Sequence, residues 1–314
     1  MDALDRELEE EVQPSFPTYT VLLFLLLAVF LGSLIGSAAV FGLSAARGID
    51  FQEVLTTMDR NSPLRIRNFV RTINLISHFF TFTAPALAVA YVFYRQRWSV
   101  ALGLDRAPRA INIGLAAVFI AAAFPLAQTT YWLNQQLPIP EWARQMERSA
   151  TGMLEGLLVM ESPAELLYNL LVVAVLPALG EELLFRGLLQ QQLERGSRRP
   201  HLAIWLAALL FSAIHLQFEG FLPRLLLGAG LGYLFYWTRN LWIPIIAHFL
   251  FNGGQVVARY FYGEDASALD LEEVQDPQWA AFALGLAVAF GSGYYLWQYN
   301  RAGRNRLTSD RTAL

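Results

Sequence analysis

Runs of about 18 to 25 largely apolar residues recur along this chain, the length at which a helix crosses a bilayer. Eight segments are expected to do so: 19–46, 68–94, 110–133, 163–194, 201–217, 221–238, 241–260 and 278–298. The fifth to seventh are short and closely spaced. Pro163, Pro200, Pro223 and Pro244 fall near segment starts, where proline is tolerated. Pro85, Pro125 and Pro177 sit inside segments and are expected to kink them. Of 314 residues, 55% are hydrophobic and 16% charged, against about 25% charged in a soluble domain. The expected fold class is all-α: a polytopic membrane helical bundle with about eight transmembrane helices.

Composition removes several chemistries. There is no cysteine, so no disulfide framework, thiol nucleophile or thiolate metal site is available. Every basic residue of the 23 is Arg, so no lysine nucleophile or Schiff base exists. The first apolar run follows Glu7, Glu9, Glu10 and Glu11. A secretory signal starts basic and has a shorter apolar core, so this run reads as a retained helix. No lipidation motif is evident, and nothing points to nucleic acid.

Arg placement orients the bundle by the positive-inside rule. Arg95, Arg97, Arg106 and Arg109 fall on one side, with Arg195, Arg198 and Arg199, then Arg239, then Arg301, Arg304, Arg306 and Arg311. These alternate correctly for eight spans with both termini cytoplasmic. The opposite side carries the acidic segment 261–277. The 47–67 loop runs against the rule, with Arg47, Arg60, Arg65 and Arg67 on the expected outer side.

The segment GEELLFRG (180–187) puts three charges in hydrocarbon. Insertion scales assign about 2.5–3.5 kcal/mol to an Arg, Lys or Asp at a span centre, so these groups must pair, lose charge or face water. Glu182 and Arg186 are spaced i,i+4 and can pair. Glu181 points about 100° away from Glu182 and has no evident local partner. A carboxylate in an apolar cavity without a full salt bridge is a candidate general base.

Two more polar pairs follow: Phe211 and His215 in the fifth segment, His248 and Asn252 in the seventh. At about 1.5 Å rise per residue, Glu181 and His215 each lie about 21 Å from the cytoplasmic end, Asn252 about 16 Å and His248 about 10 Å. Three helices can thus bring carboxylate, imidazole and amide to one level. A Glu and a His converging on one water can activate it. A second His and an Asn can donate to the oxyanion that forms on a carbonyl. Amide hydrolysis needs these parts when no serine or cysteine serves.

The order EELLFR (181–186), FSAIH (211–215), HFLFN (248–252) on successive membrane helices resembles the CPBP family of intramembrane proteases. That family includes type II CAAX prenyl endopeptidases, Abi proteins and bacteriocin-immunity proteins. The resemblance covers roughly residues 160–255. It implies that Glu181 activates water with His215 as partner, that His248 and Asn252 form the oxyanion hole, and that Glu182 and Arg186 orient and neutralise the site. It implies no cofactor and a bacterial inner membrane location.

The expected organisation follows: an acidic cytoplasmic tail at 1–18, N-terminal transmembrane helices at 19–159, the catalytic membrane domain at 160–255, an acidic outer loop and last helix at 256–298, and a basic cytoplasmic tail at 299–314. The expected partners are a membrane-associated protein or peptide substrate and the lipid bilayer. The sequence does not set the oligomeric state.

Plainer readings stand beside these. The charges of GEELLFRG can form a structural ion-pair cluster, and polar groups in spans commonly serve helix packing. Asn252 before Gly253 also suits a local helix break, Phe211 reads as packing, and His78 reads as core or lipid-adjacent. Glu181, His215 and His248 could ligate a zinc ion with water as fourth ligand, though HExxH is absent. A non-catalytic scaffold or immunity protein of the same fold is one alternative function. An ion-coupled transporter is another, against which no paired repeat of interrupted helices is seen.

Overall fold

Backbone buried in hydrocarbon must satisfy its own hydrogen bonds, which leaves helices as the spanning option for a chain patterned like this one. The computed structural model describes residues 16–263 and 277–312, and all its regular structure is helical. Helix α1 is Thr18–Arg47, α2 Phe51–Thr57, α3 Leu64–Ala101, α4 Ala110–Gln135 and α5 Glu141–Leu157. Then come α6 Pro163–Ser197, α7 Pro200–Ala213, α8 Phe221–Thr238, α9 Trp242–Tyr262 and α10 Trp279–Thr312. Most of the expected acidic tail and outer loop lies outside the described residues, as do the side chains of Arg304, Arg306 and Arg311.

Among the described residues, five helices are long and apolar enough to cross a membrane: α1, α3, α4, α6 and the Trp279–Ala302 part of α10. The segments expected at 221–238 and 241–260 are also helical, but the one expected at 201–217 is helical only to Ala213, so His215 falls in the turn after it and not inside the span. Helix α7 is only 14 residues long, about 21 Å. Helices α8 and α9 reach 18 and 21 residues, but Arg224 interrupts the first and His248, Asn252, Gln255 and Arg259 the second.

Burial follows a stripe on each helix. On α1, Val21, Leu25, Gly32, Gly36, Val40 and Ser44 face the protein, packed against α3. Leu23, Leu26, Phe30 and Leu34 of the same helix are exposed. Helix α6 sits innermost, against α3, α7 and α9. One core joins its Leu184, Phe185 and Leu188 to Val89, Phe211, Phe235 and Ile245. A second core holds α4 against α8, α9 and α10 through Ile120, Leu231, Ile243 and Leu296.

Three π-helical stretches interrupt this regularity: Phe79–Thr83 in α3, and Leu170–Val175 and Leu183–Gln190 in α6. A π turn inserts a residue and re-aims the side chains around it. One stretch follows His78 directly, and the other two bracket Glu181 and Glu182. Pro85 and Pro177 open the α-helical turns that resume after two of them.

Two of the four arginines of the 47–67 loop are matched by acids, and Arg65 donates to the Arg47 carbonyl. Arg60 pairs with Glu155, and Arg67 with Glu161 and Glu165. Helix α5, outside the eight expected segments, supplies Glu155. It buries Ala143, Glu147, Gly156 and Leu157 and exposes Trp142 and Met146.

Candidate active site

Glu181, Glu182 and Arg186 are all buried on α6. Glu182 is held from both sides. Its Oε1 accepts from Arg186 Nη1 at 2.7 Å and from His248 Nδ1 of α9 at 2.9 Å. The i,i+4 pairing read from the sequence is therefore present. Arg186 also donates to the Gly228 carbonyl of α8 at 2.7 Å. Its guanidinium lies 4.9 Å from the centre of the Phe211 ring, a favourable cation–π distance. Glu182 is thus a neutralised anchor for α7, α8 and α9.

Glu181 is built differently. Its Oε1 lies 3.1 Å from Nε2 of His78 on α3, and its Oε2 lies 3.9 Å from Nε2 of His248. Sequence reasoning left Glu181 unpartnered and His78 in the core or against lipid. The structure joins them. Gly180 makes the approach possible: a Cβ there would lie 2.5 Å from Thr83 Oγ1 and 3.0 Å from His78 Cε1. A usable signal did exist. Arg67, Arg71, Asn74 and His78 recur at steps of four, three and four along an apolar helix, one continuous polar stripe.

His248 and Asn252 share a face of α9. Asn252 Nδ2 lies 3.2 Å from His248 Nε2 and donates to the Val173 carbonyl at 3.1 Å. Pro177 has no N–H, so Val173, four residues earlier, lacks its ordinary α-helical donor. The amide of α9 supplies one. With Nδ1 donating to Glu182, Nε2 of His248 accepts from Asn252. Both residues of the expected oxyanion hole are thus mutually hydrogen-bonded, and either must release a contact or gain a proton to serve an incoming oxyanion.

His215 lies just beyond α7, in a turn. Its Nδ1 donates to the Phe211 carbonyl at 2.7 Å, which leaves Nε2 as the ring's acceptor. No hydrogen bond or ion pair joins it to Glu181. Phe211 stands between the two histidines, with ring centres 5.1 Å from His215 and 6.2 Å from His248. The turn is strained and clamped. Leu216 has φ of 53°, a region disfavoured for a side chain of its size. Ser212 Oγ donates to the Phe221 carbonyl at 2.7 Å, and Glu147 Oε1 accepts from Glu219 N at 3.0 Å. Asn134 of α4 donates to the Phe218 carbonyl.

All six site residues expected from the sequence therefore lie on α6, on α9 or in the turn after α7. Five of them are linked through Glu181, Glu182 and His248, and His215 touches the Phe211 ring that lies between it and His248. Among the described residues, no three His, Asp or Glu side chains are grouped to hold a metal ion. The arrangement offers a buried carboxyl group beside imidazoles, a ring nitrogen able to accept a proton, and an amide able to donate once its contact with His248 is released.

Residues 163–254 match the family model described as Rce1-like, type II CAAX prenyl endopeptidase. A relative, the uncharacterized protein YpbD of Bacillus subtilis (strain 168), is 32% identical over 88 residues. That stretch is 27% of this chain and 42% of the relative, so the likeness spans less than half of either. No solved structure matches.

Proposed function

We propose that this integral membrane protein is an intramembrane endopeptidase, hydrolysing a peptide bond of a membrane-associated protein or peptide. The observation that carries the reading is the pair of adjacent carboxylates in different settings: Glu182 pairs directly with Arg186, while the ion-pair contacts of Glu181 among the described residues are with the imidazoles of His78 and His248. The match of residues 163–254 to a peptidase family supports it.

In this reading a water proton passes to Glu181 as the water oxygen attacks the carbonyl carbon. Asn252 stabilises the oxyanion through Nδ2 once it lets go of His248, and His248 joins it when Nε2 has gained a proton. The C–N bond then breaks as the proton on Glu181 passes to the leaving nitrogen, giving a carboxylic acid and an amine, which end as carboxylate and ammonium once the acid proton has moved to the amine. His215 Nε2 assists as proton acceptor at the mouth of the site. Glu182 and Arg186 fix His248 and balance its charge. The wider proposal has eight spans with both termini cytoplasmic in a bacterial inner membrane, and residues 160–255 as the catalytic part. It needs no metal.

The test is comparative peptidomics of membranes expressing the wild type or Glu181→Gln at matched levels, with and without chelator. New C-termini that vanish in the variant, and persist in chelator, are expected. Loss in chelator would replace the metal-free mechanism with a metal-assisted one. Identical peptide inventories with both proteins folded would remove the endopeptidase reading and leave the scaffold and transporter readings.

A further inference from the structure

We infer that His78, outside the family-matched segment, is a positioning residue of the site: it holds the Glu181 carboxylate so that Oε2 is the oxygen that takes the proton. The inference rests on Glu181 being the base. His78 Nε2 lies 3.1 Å from Glu181 Oε1. A carboxylate can only accept, so Nε2 carries the hydrogen. The other ring nitrogen, Nδ1, is buried with no hydrogen-bond partner among the described residues. A proton there would be a buried donor with no acceptor, a costly arrangement. The geometry therefore selects one tautomer, Nε2–H with a bare Nδ1.

Two consequences follow. A neutral ring orients the carboxylate without cancelling its charge, unlike Arg186 beside Glu182. And Oε1 is occupied, which leaves Oε2 facing the His248 side at 3.9 Å. The ring itself is fixed by a tilted contact with Phe82, 4.6 Å between centres with 34° between the planes, and by the close passage of Gly180, where a Cβ would meet His78 Cε1 at 3.0 Å. Helix α3 is thereby part of the catalytic apparatus as well as of the bundle.

The chain has four histidines, so nitrogen-15 NMR of the histidine-labelled, full-length protein in lipid bilayers can read each ring. The His78 signals are identified by their loss in His78→Phe, which keeps an aromatic ring on Phe82. One protonated and one bare nitrogen are expected, with the proton on Nε2, and Glu181→Gln is expected to shift both. A proton on Nδ1, a doubly protonated ring, or signals indifferent to Glu181→Gln would overturn the inference whatever the protein's activity.

Product formation supplies the second arm. His78→Phe is expected to lower the rate at saturating substrate about 10- to 100-fold, the scale of one hydrogen bond to a charged group, with the thermal midpoint and KM little changed. His78→Gln, whose amide can donate from nearly the same place, is expected to recover most of it. Equal rates in all three, with Glu181→Gln inactive, would refute the positioning role and spare the base. Activity surviving in Glu181→Gln would refute the base itself, while the NMR arm still decides the contact.

Discussion

Helices α3 and α6 meet at several polar places, and the two that hold buried carboxylates are built to opposite rules. Near their first turns, Arg67 and Arg71 of α3 meet Glu165 and Asn169 of α6. Arg71 has zero exposure and spends every N–H it has. Nε donates to Asn169 Oδ1 at 2.8 Å, Nη1 to Asn68 Oδ1 at 2.8 Å and Glu165 Oε2 at 2.9 Å, and Nη2 to the carbonyls of Leu157 and Val159 at 3.1 and 2.7 Å. Glu165 is equally used, its Oε2 by both arginines and its Oε1 by the Glu161 amide. Further along the same two helices, His78 meets Glu181. There Glu182 Oε2 and His78 Nδ1 have no partner among the described residues, and Arg186 makes two hydrogen bonds and one ring contact. A saturated cluster has nothing left to give an incoming group. An incomplete one keeps acceptors in reserve. Buried charge alone therefore does not mark a site, and the state of its hydrogen bonds does.

Substitutions can break this contrast, and the largest effect belongs to Glu181→Gln. The variant keeps the shape and an acceptor for His78 but cannot take a proton. The product-forming rate is expected to fall about 10²- to 10⁴-fold, with the thermal midpoint in detergent near that of the wild type. A collapse of the midpoint with the rate per folded molecule intact would make the second cluster structural, like the first.

Glu165→Gln makes the opposite trade. It leaves two buried guanidinium groups short of their shared anion. Breaking a buried pair in this way costs about 3–5 kcal/mol. The expected readout is a large drop in thermal midpoint, with product formation per folded molecule unchanged. Loss of activity without loss of stability would show that the α3–α6 contact near residue 165 also tunes the site.

Gly180→Ala tests the joint between the helices. Its Cβ would meet Thr83 Oγ1 at 2.5 Å, His78 Cε1 at 3.0 Å and Phe82 Cβ at 3.2 Å. Overpacking of this kind costs about 1–3 kcal/mol, and the displaced His78 is expected to lower activity as well. Gly114→Ala is the control, since nothing lies within 4 Å of a Cβ there. Its thermal midpoint is expected to stay or rise slightly, since Ala is the better helix former by about 0.5–1 kcal/mol.

The sequence carried the helical class and the i,i+4 logic of Glu182 with Arg186, because both follow from local periodicity. It also placed His248 and Asn252 on one face for the same reason. It did not carry the pairing of Glu181 with His78, 103 residues apart, because that contact depends on which helix packs against α6. Nor did it carry the π turns that set the rotation of α6 around Glu181, since a π turn has no composition of its own. Each of the eight expected segments holds a helix, though the fifth stops at Ala213, short of His215, and hydropathy separated five clear spans from three. The polar groups that make α8 and α9 useful dilute the signal that would identify them. Arg60 and Arg67 added to the breach of the positive-inside rule in the 47–67 loop because their acids, Glu155, Glu161 and Glu165, come about 95 residues later.

Arg60→Ala gives the smallest expected effect and sharpens the comparison from its other end. Arg60 and Glu155 form a two-point pair, Nε to Oε2 at 3.0 Å and Nη2 to Oε1 at 2.9 Å. The geometry is as good as that of Arg71 with Glu165. What differs is solvent: the Arg60 and Glu155 side chains are 35% and 38% exposed, against 0% and 7% for the buried pair. Water and salt can replace each lost partner, so the expected loss is only about 0.2–1 kcal/mol, and it should shrink as salt is raised. Denaturation at low and high salt checks both. A loss equal to that of Glu165→Gln, and indifferent to salt, would mean that burial does not set the value of these charges, and the contrast between the two α3–α6 clusters would then need another cause.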